Sequence, residues 1–233
     1  MGETIQIRTA DGGQMAAYVA RPAKAKAPGV VVIQEIFGVN AVMRGIADEL
    51  ASAGYLAVCP DLFWRIEPGV DITDQTEAEW KKAFALMNAF DADQGVLDID
   101  ATIDALREDP ACTGKVGCVG FCLGGKLAYL TAARTDVDAS VAYYGVGIES
   151  LTGEADKIAQ PLLMHIAEED QFVPKEAQAV ILQALKNHPQ ITIHTYPGRD
   201  HAFARKGGEH YDEADAKLAG GRTLGFFQSH LGE

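Results

Sequence analysis

The chain has 233 residues, 48% of them hydrophobic and 23% charged, and its 33 acidic against 20 basic side chains leave a net charge of −13. That balance fits a globular protein and excludes a disordered, collagen-like or coiled-coil chain. An acidic surface repels phosphate backbones and anionic lipid heads, so neither nucleic acid nor a membrane is expected as a partner.

No apolar run reaches the roughly 20 residues that span a bilayer. The first ten residues carry Glu3, Gln6 and Arg8 and no apolar stretch, so no signal peptide is expected and the cytoplasm is the expected compartment. Cys59, Cys112, Cys118 and Cys122 form no C-x-x-C pair, and reduced thiols are expected rather than disulfides or a zinc site.

In chain order, residues 4–8 and 15–20 flank Asp11-Gly12-Gly13 and read as an antiparallel hairpin. The run GVVVIQ at 29–34 is the mark of a strand buried on both faces. Asn40 stands as an N-cap before Val42, Ile46 and Leu50, one face of a helix that Gly54 closes. Residues 55–59 make the next strand, stopped by Pro60.

Over 76–90, Thr76 and Glu79 have capping-box spacing, and Trp80, Phe84 and Met87 form a stripe that reads as core packing. Val96, Ile99, Ile103 and Leu106 make a second stripe. Then come a strand at 115–120, a helix over Leu123–Arg134, and strands at 139–144 and 161–167. A helix at 174–186 opens with proline, a strand covers Ile191–Tyr196, and a last helix runs over about 211–231. Strand and helix alternate without repeats or linkers, which specifies one α/β domain over residues 1–233, a mostly parallel sheet with helices on both faces.

The most informative segment is Gly120-Phe121-Cys122-Leu123-Gly124-Gly125, between a buried strand and a helix. It is a G-x-C-x-G form of the nucleophile elbow, a turn tight enough to force its central residue into a strained backbone. Glycine is needed two residues before and two after, because a larger side chain there would meet the neighbouring chain. The turn puts Cys122 over a helix N-terminus, whose dipole favours the thiolate.

Elbow hydrolases order nucleophile, acid and histidine along the chain, each at the carboxyl end of a strand. Downstream of Cys122 one strand runs into Glu168-Glu169-Asp170, and another into Pro197-Gly198-Arg199-Asp200-His201. His201 takes the thiol proton or holds the thiolate as an ion pair, and Asp170 fixes the imidazole tautomer. Asp170 is preferred to Glu168 and Glu169 because Val173-Pro174 starts a helix just after it. A histidine without such context is ordinarily a solvated residue, and His165, His188, His194, His210 and His230 keep that assignment. Cys59 and Cys118 read as small buried hydrophobes in strands, and Cys112 as a loop residue.

With QEIFGVN at 34–40, CPDLF at 59–63, KVGCVGFCLGG at 115–125, YYGVG at 143–147 and HAFAR at 201–205, the chain resembles the dienelactone hydrolase family of α/β-hydrolases over nearly its whole length. The resemblance implies hydrolysis of dienelactone, a small lactone bearing a carboxylate, to maleylacetate through a thioester acyl-enzyme. It gives Glu35 the role of hydrogen-bonding the resting thiol and helping to deprotonate it. The oxyanion hole falls to the N–H groups of Ile36 and Leu123, and Arg205, Trp80, Phe84 and Tyr144 are the expected substrate-binding residues. No metal or organic cofactor is implied, and a monomer is expected.

The resemblance breaks at substrate recognition. Family members hold the carboxylate with two arginines; Arg205 matches one, and Trp80 stands where the other falls, beside Lys81 and Lys82. An indole does not replace a guanidinium fork. Phe84 and Met87 stand where the family has tyrosine and tryptophan, and Ala202 where it has serine. Two other functions therefore stay open: a carboxylesterase or thioesterase of neutral small esters, and a non-catalytic thiol sensor.

Overall fold

Apolar β-branched runs bounded by turns, alternating with amphipathic segments, build the eight strands and six α-helices described in a computed structural model of the chain. The structure describes residues 2–232. The strands form a mostly parallel sheet with helices packed on it. The chain divides into two compact units, one ending at Cys118 and one spanning Val119–Gly232.

In the first unit, β1 (Glu3–Arg8) and β2 (Gln14–Ala20) pair as the expected antiparallel hairpin. Gly12 makes the turn at φ 86°, a conformation open to glycine without Cβ strain. Strand β3 (Ala27–Ile33) is buried at every position, as its unbroken apolar run requires. It pairs in parallel with β4 (Leu56–Pro60), and β4 pairs antiparallel with β2, so the order is β1-β2-β4-β3. Pro60 does not stop the strand before itself. It is the last paired residue, opposite Ala17, a place where a missing N–H costs little.

Helix α1 (Ala41–Ser52) starts as expected, with the Asn40 side chain accepting from the N–H groups of Val42 and Met43. Its buried face is Met43, Ala47, Leu50 and Ala51. Val42 and Ile46 are only half-buried, so the predicted stripe is rotated by one residue, and Leu50 alone lies on both. Helix α2 (Glu77–Ala89) has its capping box, Thr76 accepting from Glu79 N–H. Its core face is Ala83 and Leu86, and Trp80, Phe84 and Met87 are half-buried. Helix α3 (Ala92–Glu108) buries Val96, Ile99, Ile103 and Leu106 as its period predicts.

Strand β5 (Cys112–Phe121) begins three residues earlier than expected, so Cys112 is a buried strand residue rather than a loop residue. The second unit continues with α4 (Leu123–Arg134), β6 (Ala139–Tyr143), β7 (Leu162–Ala167), α5 (Lys175–Leu185), β8 (Ile191–Tyr196) and α6 (Glu213–Leu231). Pro174 is the cap of α5, in extended backbone, rather than its first helical residue. Strands β6, β7 and β8 pair in parallel, with Ala167 opposite Tyr196 as the last rung of β7 and β8. Helix α4 packs on β6, and α6 packs on β6 and β7. Among the described residues no helix is long and apolar enough to cross a membrane.

His165 departs from the solvated assignment. It sits in β7 at 1% exposure, its Nδ1 2.7 Å from the Tyr196 hydroxyl and its Nε2 3.1 Å from Thr223 Oγ1. The Tyr143 hydroxyl lies 2.6 Å from the same Thr223 oxygen, so β6, β7, β8 and α6 share one buried polar network. Burial, then the nearby His194 and Arg222, push the His165 pKa down to about 3. The histidine is neutral and structural, with a hydrogen bond for each ring nitrogen.

Candidate active site

The turn between β5 and α4 is tight enough to require glycine at Gly120, as expected, and at Gly125, one residue beyond the expected position. A Cβ on Gly120 would stand 1.9 Å from the Gly124 carbonyl oxygen, and one on Gly125 would stand 2.4 Å from the Tyr143 carbonyl oxygen. Both obstacles are backbone and cannot swing away. Cys122, at the centre of the turn, has φ 56°. Its N–H donates to the Tyr143 carbonyl at 3.1 Å, and its own carbonyl accepts from Gly125 and Lys126 at 3.0 and 3.2 Å. Cys122 caps α4 without a side-chain hydrogen bond to the helix, so its sulfur is not consumed in capping. It is 9% exposed.

Among the described residues, three non-glycine residues have positive φ: Cys122, Tyr144 at 36° and Ala202 at 62°. The first two follow the ends of β5 and β6, and the third follows His201. Strain of this kind costs of order 1–3 kcal/mol each and persists where surrounding structure over-determines it. Its confinement to this neighbourhood marks the place where side-chain direction outweighs backbone comfort.

The loop after β7 carries Asp170, 3% exposed, and the loop after β8 carries His201, 5% exposed. His201 Nδ1 lies 2.8 Å from Asp170 Oδ2. The Tyr144 ring meets the imidazole edge-on at a centroid distance of 5.1 Å, and Phe172 does the same at 4.9 Å, so two rings set its plane. Burial pushes the His201 pKa down. Its electrostatic interaction with Cys122, the Asp170 hydrogen bond and a hydrogen bond with Cys122 outweigh it and lift the pKa to about 10. The imidazole thus links a cysteine on one side to a carboxylate on the other, and both partners favour its protonated form.

The structure places the remaining predicted residues as follows. In the second unit, Leu123 is the first residue of α4, Tyr144 stands against His201, and Arg205 is half-buried one turn beyond, its N–H donating to the Ala202 carbonyl at 2.9 Å. In the first unit, Glu35 and Ile36 follow β3 and are buried, at 2% and 3% exposure. Trp80 stacks on Phe84 at 5.5 Å, meets Phe37 edge-on at 5.1 Å, and donates its indole N–H to the Asp74 carbonyl at 2.9 Å. The residue types alone do not single out Phe172 or Tyr144 as the rings that flank His201. The positive φ of Tyr144 and the packing of both rings emerge only in three dimensions.

The chain matches the family model described as the dienelactone hydrolase family over residues 15–231. A relative from Azospirillum brasilense is 53% identical over 98% of this chain and 99% of its own length. The carboxymethylenebutenolidase of Pseudomonas putida is 43% identical over 96% of this chain and 95% of its own. A crystal structure from Klebsiella pneumoniae superposes with a TM-score of 0.86 at 31% identity, covering 99% of each chain. With its parallel sheet, its cysteine at the elbow turn and these matches, the chain belongs to the dienelactone hydrolase family and has its α/β-hydrolase fold.

Proposed function

We propose that the chain hydrolyses a small lactone bearing a carboxylate, converting dienelactone to maleylacetate, with Cys122 as nucleophile, His201 as its proton partner and Asp170 as the group that orients His201. The class is that of its relatives named carboxymethylenebutenolidase, carboxylic ester hydrolases. The observation that carries the mechanism is the buried imidazole held 2.8 Å from Asp170 and hydrogen-bonded to Cys122, two contacts that raise its pKa. A protonated His201 keeps the sulfur as a thiolate, the form that attacks.

In the proposed cycle the thiolate adds to the lactone carbonyl carbon, and the Leu123 N–H receives the charge on the carbonyl oxygen. The ring C–O bond then breaks, giving a thioester and an enolate. The enolate leaves without strong acid assistance and can itself take a proton from water. The resulting hydroxide adds to the thioester carbon and releases the acid and the Cys122 thiolate, which His201 again pairs. Arg205 binds the carboxylate. Glu35 and Ile36 keep the roles that the family resemblance gives them.

One observation favours a second reading, hydrolysis of neutral small esters. Trp80 stands where the family has its second arginine, and its ring packs against Phe37 and Phe84. The deciding experiment measures kcat/KM for cis- and trans-dienelactone and for p-nitrophenyl acetate, with Cys122→Ala as the blank. Preference for a dienelactone supports the first reading and preference for the acetate the second. Turnover no better than the blank on all three removes both and leaves a thiol-sensing role.

A further inference from the structure

The ladder between β7 and β8 ends at Ala167 and Tyr196, yet the residues that must meet lie three and five positions further on. Backbone bonds carry the pairing part of the way: Glu168 N–H donates to the Tyr196 carbonyl at 3.1 Å, and Glu169 N–H to the Arg199 carbonyl at 2.8 Å. Beyond that point a side chain takes over. Asp200 Oδ1 accepts from Gln171 N–H at 3.0 Å and from His201 N–H at 2.6 Å. One carboxylate oxygen therefore grips the residue after Asp170 and the backbone of His201 itself. Its other oxygen, Oδ2, lies 3.7 Å from His210 Nε2.

We propose that Asp200 is a positioning residue that clamps the acid loop to the histidine loop and so sets the Asp170–His201 pair. The inference rests on the triad assignment above. Its physical content is that a charged acceptor makes stronger bonds to N–H groups than a neutral one. A shared acceptor also fixes two backbones relative to each other. The loop needs such a fastening because its next residue, Ala202, sits at φ 62°. Arg199 anchors the same segment from its other side, pairing with Asp212 and with Asp215 at 3.2 Å, but neither bond reaches the acid loop. Nothing in the residue pattern assigns Asp200 this work beyond its place directly before the histidine.

The test compares Asp200→Ala and Asp200→Asn with the parent, Cys122→Ala and His201→Ala. It reads kcat and KM on p-nitrophenyl acetate and the pH profile of iodoacetamide alkylation of Cys122. Asp200→Ala is expected to lower kcat about 10- to 100-fold, the loss that a small misplacement of a catalytic group produces. Its KM is expected to change little, and its alkylation profile to lose its acid side. Asp200→Asn keeps an oxygen for both N–H groups and is expected to recover most of the rate and the profile. Parent-like kcat in Asp200→Ala beside inactive Cys122→Ala and His201→Ala overturns the role of Asp200 alone. Equal loss in both Asp200 variants with an unmoved alkylation profile marks general destabilisation and also overturns it. Retained turnover in Cys122→Ala or His201→Ala overturns the triad assignment and this inference with it.

Discussion

Asp170 meets His201 with one oxygen and holds its own loop with the other. Oδ2 lies 2.8 Å from Nδ1 of the imidazole, and Oδ1 accepts from the N–H groups of Phe172 at 2.8 Å and Val173 at 3.1 Å. The carboxylate is thus fixed by the backbone that leads into α5 before it touches the histidine. That arrangement explains why this acid rather than Glu168 or Glu169 is the partner: only Asp170 is both buried and turned back onto the start of the next helix.

The raised His201 pKa has a consequence for stability. An unfolded histidine titrates near 6.5, and the folded one near 10. The folded state therefore holds the proton more tightly, and this contribution to stability is full below about pH 6.5 and is lost as pH rises through about 10. Melting curves of the parent and His201→Gln, taken from pH 6 to 10, are expected to show the largest gap in Tm at the acid end and convergence at the alkaline end. A gap that is constant over that range would mean that His201 carries no extra proton.

His165 predicts the opposite slope. Its folded pKa, about 3, lies below the unfolded value, so its contribution is present above about pH 6.5 and is lost as pH falls through about 3. The parent is expected to lose stability with acid across that window. His165→Leu removes this term but also takes one hydrogen bond each from Tyr196 and Thr223, which keep Arg222 and Tyr143 as partners, a loss of about 0.5–1.5 kcal/mol per bond. Urea titrations at pH 7 and pH 4 check both effects: the variant is weaker at pH 7 and less sensitive to acid.

The elbow and the last helix give a paired test of glycine. Gly120→Ala drives a Cβ onto the Gly124 carbonyl, with no side chain to yield, and is expected to cost more than about 2 kcal/mol. Gly220 lies inside α6 with nothing within 4 Å of an added Cβ. Gly220→Ala is therefore expected to add about 0.5–1 kcal/mol by removing the unfolded-state freedom of a mid-helix glycine. Denaturant midpoints of the two variants should move in opposite directions; a shift of the same sign in both would contradict the turn geometry.

Trp80→Arg tests the departure from the family pattern of two carboxylate-binding arginines. Charged hydrogen bonds are worth about 1.5–3 kcal/mol, so the change is expected to raise kcat/KM for dienelactones over p-nitrophenyl acetate by roughly 10-fold or more. Arg205→Ala is expected to raise KM for the anionic lactones while leaving the neutral ester near its parent value. Equal effects on both substrate types would remove Arg205 from carboxylate binding.

The amino-acid sequence by itself determined the alternation of elements, the antiparallel hairpin, the caps at Asn40 and Thr76 and the cysteine at the elbow. These are local matters: an N-cap needs only the next three residues, and the elbow needs glycines within three positions of Cys122. It also pointed to Asp170 and His201, because strand ends are legible and the order of the partners follows from them. Faces were less legible. The buried side of α1 lies one residue round from its apolar period, and Trp80, Phe84 and Met87 are half-buried though their spacing suits a core stripe. A helix turns its burial toward whatever packs on it, and that neighbour lies elsewhere in the chain. Only the tertiary structure decided that His165 is buried between Tyr196 and Thr223 and that Asp200 grips two loops 29 residues apart. It also placed positive backbone angles at Cys122, Tyr144 and Ala202. Such features depend on parallel strands bringing their ends side by side, so that a side chain's partners are set by distance in space, which residue spacing along the chain does not encode.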